Sequence, residues 1–282
     1  MTQIDSGRGP VRKESFACTE PVEVDARLAA GLLTVDAVAT DGITVEVSGD
    51  EPDGDSTGPT DLVARAVRET EVRFSAGDGK LVVRTPRHHA LRSVRLAISA
   101  EVPVGSSLTS RAGNGTVRAR GTITRLIAAT GSGDIETGDV DGSVEIKAGS
   151  GDARLGRVGG RMRSRSGSGS FEAASIGDGA TITTGSGSIR VGDVGADLAA
   201  RTGSGSVIVE NATAGRLDLA TGSGDIRVGI HEGVVAEIDL VSGSGRARSE
   251  LDVSPGPGVG TAAIRVRART GSGDAVVARA GG

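Results

Sequence analysis

Few residues in this sequence carry reactive side chains, and they are scattered. Cys18 is the single cysteine, so no intrachain disulfide can form. A lone thiol of this kind reads as a buried packing residue rather than a nucleophile. His88 and His89 are adjacent in the loop after Pro86. In an extended chain such neighbours point to opposite faces. Neither a cysteine nor a third histidine stands near them, so they read as no metal site; His231 stands alone. Gly-x-Gly elements recur, but no helix signal and no Gly-Lys-Ser/Thr follows them, which removes a phosphate-binding loop. Glycan cleavage needs paired carboxylates, usually beside aromatic platforms. Here the carboxylates alternate with arginines, and the aromatic residues are only Phe16, Phe74 and Phe171. No catalytic residue and no cofactor site can be named on this basis.

Two groups remain with types and spacing suited to binding. Arg161, Arg163 and Arg165 alternate, so on a strand they share one outward face that suits an acidic partner; Glu145 is the nearby carboxylate that would otherwise answer them. Asp134 and Asp152 head a column continued by Ser170, Ser188, Ser206 and Asp225. That column is either a hydroxyl-rich face for a ligand or partner, or corner residues that bond the turn backbone.

The elements that must position these residues form a repeat. Nine glycine pairs run from Gly113/Gly115 to Gly271/Gly273; the first five steps are 18 residues and the last three are 19, 21 and 28. Counted from the first glycine of each pair, apolar or small residues recur at offsets 4, 6, 9, 13 and 15, as in Ile135, Thr137, Val140, Val144 and Ile146. Alternation of period two, in runs too short for helices, predicts half-buried strands, about three to a unit, separated by glycine corners. A constant period of this length predicts a solenoid in which like offsets stack about 4.8 Å apart. The fold class expected is therefore all-β: a single-stranded parallel β-helix of about 18 residues per coil with an N-terminal β cap. The longer steps return Leu217, Leu219, Ile238, Leu240, Val266 and Ala268 to inward columns, which places the insertions at one corner. Offset 5 reads Arg118, Glu136, Arg154, Glu172, Arg190, alternating in sign as in-register parallel stacking rewards. A calcium-binding nonapeptide repeat would need Asp where Ile135, Ala153 and Ile189 stand, so calcium packing is not expected.

The domains expected are a flexible tail over residues 1–14, a β-rich cap section over 15–110 and solenoid repeats over 111–282. Within the cap section, strands are expected at 22–24, 32–38, 43–47, 72–74, 81–83, 94–98 and 102–104, with a helical turn or two over 61–68. Residues 49–61 read as a solvated acidic loop, and the segment around Ser254-Pro-Gly-Pro-Gly258 as an outward loop.

The units Gly-Ser-Gly-Asp-Ile135, Gly-Ser-Gly-Ser-Ile189 and Gly-Ser-Gly-Asp-Ile226 resemble those of the DUF4097 β-strand-repeat family, the toastrack or adhesin-type domains. The lead-in 94–104, ending Glu-Val-Pro-Val104, is similar to that family's strand-then-proline pattern. The resemblance covers about residues 16–280. It implies a β-solenoid, no established catalytic residues and a link to bacterial cell-envelope biology.

Net charge is −4, which argues against nucleic acid or anionic lipid as a general partner. No apolar stretch is long enough for a transmembrane helix, and no secretory signal is apparent, so a cytoplasmic location is expected, with envelope association through a partner. The function expected is a non-catalytic interaction module that binds a protein partner along one solenoid face. Two other readings stand beside it: end-to-end self-assembly through a less protected C-terminal coil at 270–278, and an enzyme acting on glycans.

Overall fold

The structure is a computed structural model that describes residues 10–50, 60–251 and 263–281. Residues 1–9 of the expected tail, most of the acidic loop at 49–61 and the loop around Ser254–Gly258 lie outside the described residues. The chain divides into two compact units, residues 1–142 and 143–282.

Unit 1 contains strands β1 (Arg12–Ala17), β2 (Glu23–Val38) and β3 (Gly42–Gly49), helix α1 (Thr60–Glu69), then β4 (Glu71–Ser75), β5 (Lys80–Arg84), β6 (Leu96–Pro103), β7 (Ser107–Arg120), β8 (Arg125–Thr130) and β9 (Ile135–Thr137). β2 is its spine. One edge of β2 pairs in parallel with β7 from Glu23 to Asp36; the other takes β5 at Glu23–Arg27 and then β6 at Gly31–Val38. The change of partner falls at Gly31, where φ is +114° and a Cβ would stand 2.1 Å from the Leu96 carbonyl oxygen; only glycine suits both demands. β3 joins antiparallel to β6 and β1, and β4 to β5. The first section is thus a mixed sheet. Two pairs of expected short strands, 22–24 with 32–38 and 94–98 with 102–104, are largely fused into β2 and β6. The helical turn expected at 61–68 is the ten-residue α1, whose Ala66 and Val67 are buried. Cys18, expected to be buried, is half-buried, and its thiol donates to the Glu20 carbonyl at 3.3 Å.

Unit 2 contains β10 (Val144–Ala148), β11 (Ala153–Val158), β12 (Met162–Ser166), β13 (Phe171–Ile176), β14 (Ala180–Thr184), β15 (Ile189–Val194), β16 (Leu198–Ser204), β17 (Val207–Ala212), β18 (Gly215–Ser223), β19 (Ile226–Ile230), β20 (Ala236–Ser244), β21 (Ala247–Ser249), β22 (Ile264–Ser272) and β23 (Ala275–Arg279). Each coil holds two strands rather than three. Offsets 4 to 9 form one strand, whose alternation slips once in the middle, as in the buried–exposed–buried–half-buried–exposed–buried run of β11.

The strands build two parallel ladders. The first pairs Val144, Met162, Ala180 and Leu198 in succession, and the second pairs Ala153, Phe171, Ile189 and Val207. These are the inward columns expected from the 18-residue step, and they form the core. Among the described residues no helix lies between 111 and 250.

The order of the last coils differs from the expectation. β22 pairs with β18 on one side and β20 on the other, and β23 lies likewise between β19 and β21. The later strand pair is inserted inside the earlier one. Leu217, Val266 and Ile238 do share one column, but in that spatial order. Residues 270–278 are therefore covered on both sides, and the coil that ends the ladders is β20–β21. Its Ile238 and Leu240 are only half-buried, and Val235 and Val241 are 64% and 47% exposed.

Candidate functional site

The corners show what the glycine pairs do. At Gly133, Gly169, Gly187, Gly205 and Gly224 the second glycine of the pair lies on the carbonyl of its counterpart one coil earlier. A Cβ on Gly169 would fall 1.8 Å from the Gly151 oxygen, and one on Gly187 2.1 Å from the Gly169 oxygen. Threonines just before the pairs stitch the same corner: Thr184 Oγ1 donates to Gly169 O at 2.9 Å, and Thr202 Oγ1 to Gly187 O at 2.8 Å. Thr184 also accepts from its own turn, where Gly187 N donates to its Oγ1 at 3.2 Å. Sequence reasoning overlooked these threonines, although Thr130, Thr184, Thr202, Thr221 and Thr270 each precede a glycine pair.

The offset-3 column is corner chemistry. Ser170 N donates to Asp152 Oδ1 at 2.9 Å, Ser188 N to Ser170 Oγ at 3.3 Å, Ser206 N to Ser188 Oγ at 3.2 Å and Asp274 N to Asp225 Oδ1 at 3.0 Å. Asp152 also pairs with Arg154 at 3.0 Å. Asp134 holds the same corner position in unit 1, where its carbonyl accepts Val117 N at 2.8 Å.

Arg163 and Arg165 stand exposed on β12, with Arg161 exposed just before it. They lie on the outer face of the first ladder, whereas Asp152 heads the second, so the structure does not gather the arginines and Asp152 on one strand face. Along the ladder Arg163 lies between Glu145 and Thr181, and Arg165 between Lys147 and Thr183. Glu145 bonds Lys147 at 2.7 Å. Further along, Arg201 pairs with Asp218 at 2.9 Å, Arg267 with Asp239 at 3.2 Å and Arg265 with Glu237 at 2.8 Å. Among the described residues no carboxylate comes within ion-pair distance of Arg161, Arg163 or Arg165. The face thus runs from a basic end with small threonine neighbours to a charge-balanced end. Lys147 and Thr183, 18 residues either side of Arg165, belong to it; the repeat step alone would have placed them there.

The second ladder is different in kind. A shallow cavity of about 280 Å³ opens over Gly192, lined by Glu172, Arg190, Asp193, Glu210 and Asn211. Arg190 bonds Glu210 at 2.6 Å, Asn211 Nδ2 donates to Asp193 Oδ1 at 2.8 Å, and His231 Nδ1 lies 3.1 Å from Asn211 Oδ1. The carboxylates are interleaved with an arginine and an amide.

In unit 1, His88 Nε2 bonds Glu69 Oε2 at 2.7 Å, which ties the loop after β5 to α1. The bonds from His88 and Arg65 hold the Glu69 carboxyl below its ordinary range. A carboxyl depressed in this way lends stability above its unfolded pKa and loses it as pH falls through the folded one.

The family model described as Toastrack DUF4097 matches residues 16–277. Among solved structures, the chain is similar to a candidate adhesin from Bacteroides fragilis (15% identity, 95% of this chain and 96% of that one, TM-score 0.48). It is also similar to a candidate lipid-binding protein from Parabacteroides distasonis (12% identity, 97% of each chain, TM-score 0.47). A third is a candidate cell adhesion protein from Clostridium sporogenes (12% identity, 95% and 99%, TM-score 0.34). No curated protein matches the sequence.

Proposed function

The chain belongs to the Toastrack DUF4097 family, and on that premise we propose that it is a non-catalytic, adhesin-like scaffold that binds an acidic protein partner along the outer face of the first ladder. The observation that carries this reading is the run Arg161, Arg163, Arg165: three exposed arginines, two on β12 beside small threonines and one just before it, without ion-pair carboxylates among the described residues. Arginine on a preorganised surface is the side chain best suited to carboxylate recognition, because its fork of donors is planar and loses little freedom on binding. In this reading the chain reaches an envelope-linked pathway through its partner. The test is a pull-down from native cells. The wild type should return one stoichiometric partner of acidic surface. An Arg163→Glu/Arg165→Glu variant of unchanged melting temperature should lose at least about tenfold in affinity, or 1.4 kcal/mol. A variant that retains the partner at full affinity removes this face from the reading.

A second reading, end-to-end self-association, is favoured by the β20–β21 coil, where a parallel edge and the exposed Val235 and Val241 end the ladders. Such an edge templates pairing with another chain. Concentration-dependent sedimentation that Val241→Lys abolishes would support it; a monomer at high concentration would remove it.

A further inference from the structure

We infer that unit 1 carries a binding site for a small phosphate-bearing anion, in a cavity of about 320 Å³ lined by Arg27, Thr85, Arg87, Arg92, Arg111 and Gly113. The site is built on adjacent strands. Arg84 on β5, Arg27 on β2 and Arg111 on β7 stand directly opposite one another in parallel register, about 4.8 Å apart from strand to strand. Like charges placed opposite in this way repel, so the row needs a counter-charge.

The protein supplies only part of it. Asp25, two residues along β2 and 8% exposed, lies 3.8 Å from Arg27 Nε and 3.7 Å from Arg84 Nη2. Glu71 reaches Arg84 at 4.0 Å. Among the described residues no carboxylate comes within ion-pair distance of Arg87, Arg92 or Arg111. Behind the cavity, the Nε atoms of Arg27 and Arg84 and Oδ1 of Asp25 are all buried without a hydrogen-bond partner, so Asp25 faces the arginine row without hydrogen-bonding it.

The surroundings fix the geometry. Thr85 is 7% exposed, and its Oγ1 accepts Ala29 N at 3.0 Å, which leaves the hydroxyl proton to donate. Gly113 keeps one wall thin, since a Cβ there would fall 2.6 Å from the Ala29 oxygen. The loop that carries Arg87 and Arg92 is held by the His88–Glu69 bond and by Leu91, which is 2% exposed. Several guanidinium groups converging from strand and loop match a tetrahedral oxyanion with acceptors on every side better than a flat carboxylate, which one guanidinium satisfies. The volume lies at the lower end of the 300–1,000 Å³ typical of ligand pockets, which suits a phosphate monoester rather than a polymer.

The test uses the full chain, labelled with nitrogen-15 and titrated with inorganic phosphate and with glycerol phosphate in low salt. Shifts should concentrate at the amides of Ala29, Thr85 and Gly113. The Arg92→Gln/Arg111→Gln variant, whose substituted side chains are exposed and whose circular dichroism should match the wild type, should bind at least tenfold more weakly. Sedimentation with phosphatidylcholine vesicles containing phosphatidic acid, lost in that variant, would make the ligand a lipid headgroup. Binding of the soluble ester without vesicle binding would make it a free phosphate compound. The inference is overturned if the variant binds phosphate as tightly as the wild type, if shifts spread evenly over the surface arginines, or if neither phosphate shifts these amides. Arg163 and Arg165 lie in unit 2, so the partner-face test can fail while this one succeeds.

Discussion

Gly187→Ala should lower the unfolding free energy by about 3 kcal/mol or more, a size that point substitutions reach only through a specific steric or packing fault. The new methyl would stand 2.1 Å from the Gly169 oxygen, 2.4 Å from its carbonyl carbon and 2.7 Å from Ser170 N. All three atoms are backbone, so no side chain can rotate away. The two coils must separate at this corner. Separation strains the Thr184–Gly169 bond and the parallel pairing of Ile189 with Phe171 just beyond it. The backbone at Gly187 is not in the left-handed region, so the cost arises from stacking and not from a dihedral preference. Gly179 provides the control: a Cβ there meets only the Asp197 oxygen, at 3.9 Å. Gly179→Ala should stay within about 0.5 kcal/mol of the wild type. Urea denaturation of the two variants decides the matter; equal midpoints would show that the corner has slack that the stacked glycines deny.

Ending the chain after residue 262 should cost more than a trimmed tail would. It removes β22–β23, and with them Ile264, Val266, Ala268, Ala275 and Val277, all fully buried. The larger of these contribute about 1.5–3 kcal/mol each by burial. It also strips β20–β21 of the strands they rest on and leaves β18–β19 as a bare edge. Limited proteolysis should then cut more freely across 231–251, whose strands in the full chain are paired to β22 and β23, and the melting temperature should fall by many degrees. Ile238→Asp, in the half-buried outer strand, should be much milder. If the truncated chain keeps 236–249 protected, the ladders run in chain order and the inserted arrangement is wrong.

The columns were legible because burial repeats with the step. Val144, Met162, Ala180 and Leu198 lie in one column as their spacing demands, and Arg118 meets Glu136 at 2.8 Å as the alternation of sign implied. Spacing determines register but not order: Ile238 and Val266 both align with Leu217, whichever lies nearer. Charge does not decide either. Placing Arg267 between Asp218 and Asp239 is favourable, yet the same placement sets Arg265 beside Arg216. The quality of the inward residues does distinguish the two coils. The later one brings Ala275 and Val277 to the second ladder, where the earlier one brings Ala247 and Ser249. The poorer set is left on the outside, where less area is buried. The arginine cavity of unit 1 was illegible for another reason. Arg27 and Arg84 lie outside the regular repeat and far in sequence from Arg111 at its start, so only strand pairing brings the three into a row.

The insertion of β22–β23 also bears on biosynthesis. A growing chain leaves the ribosome with its N-terminal part first, so the outermost coil emerges before the layer it must lean against. The end of this domain cannot close until the final strands are made. A prematurely terminated product would lack its middle rung rather than its tip, and quality-control proteases would meet an open wound instead of a slightly shorter protein.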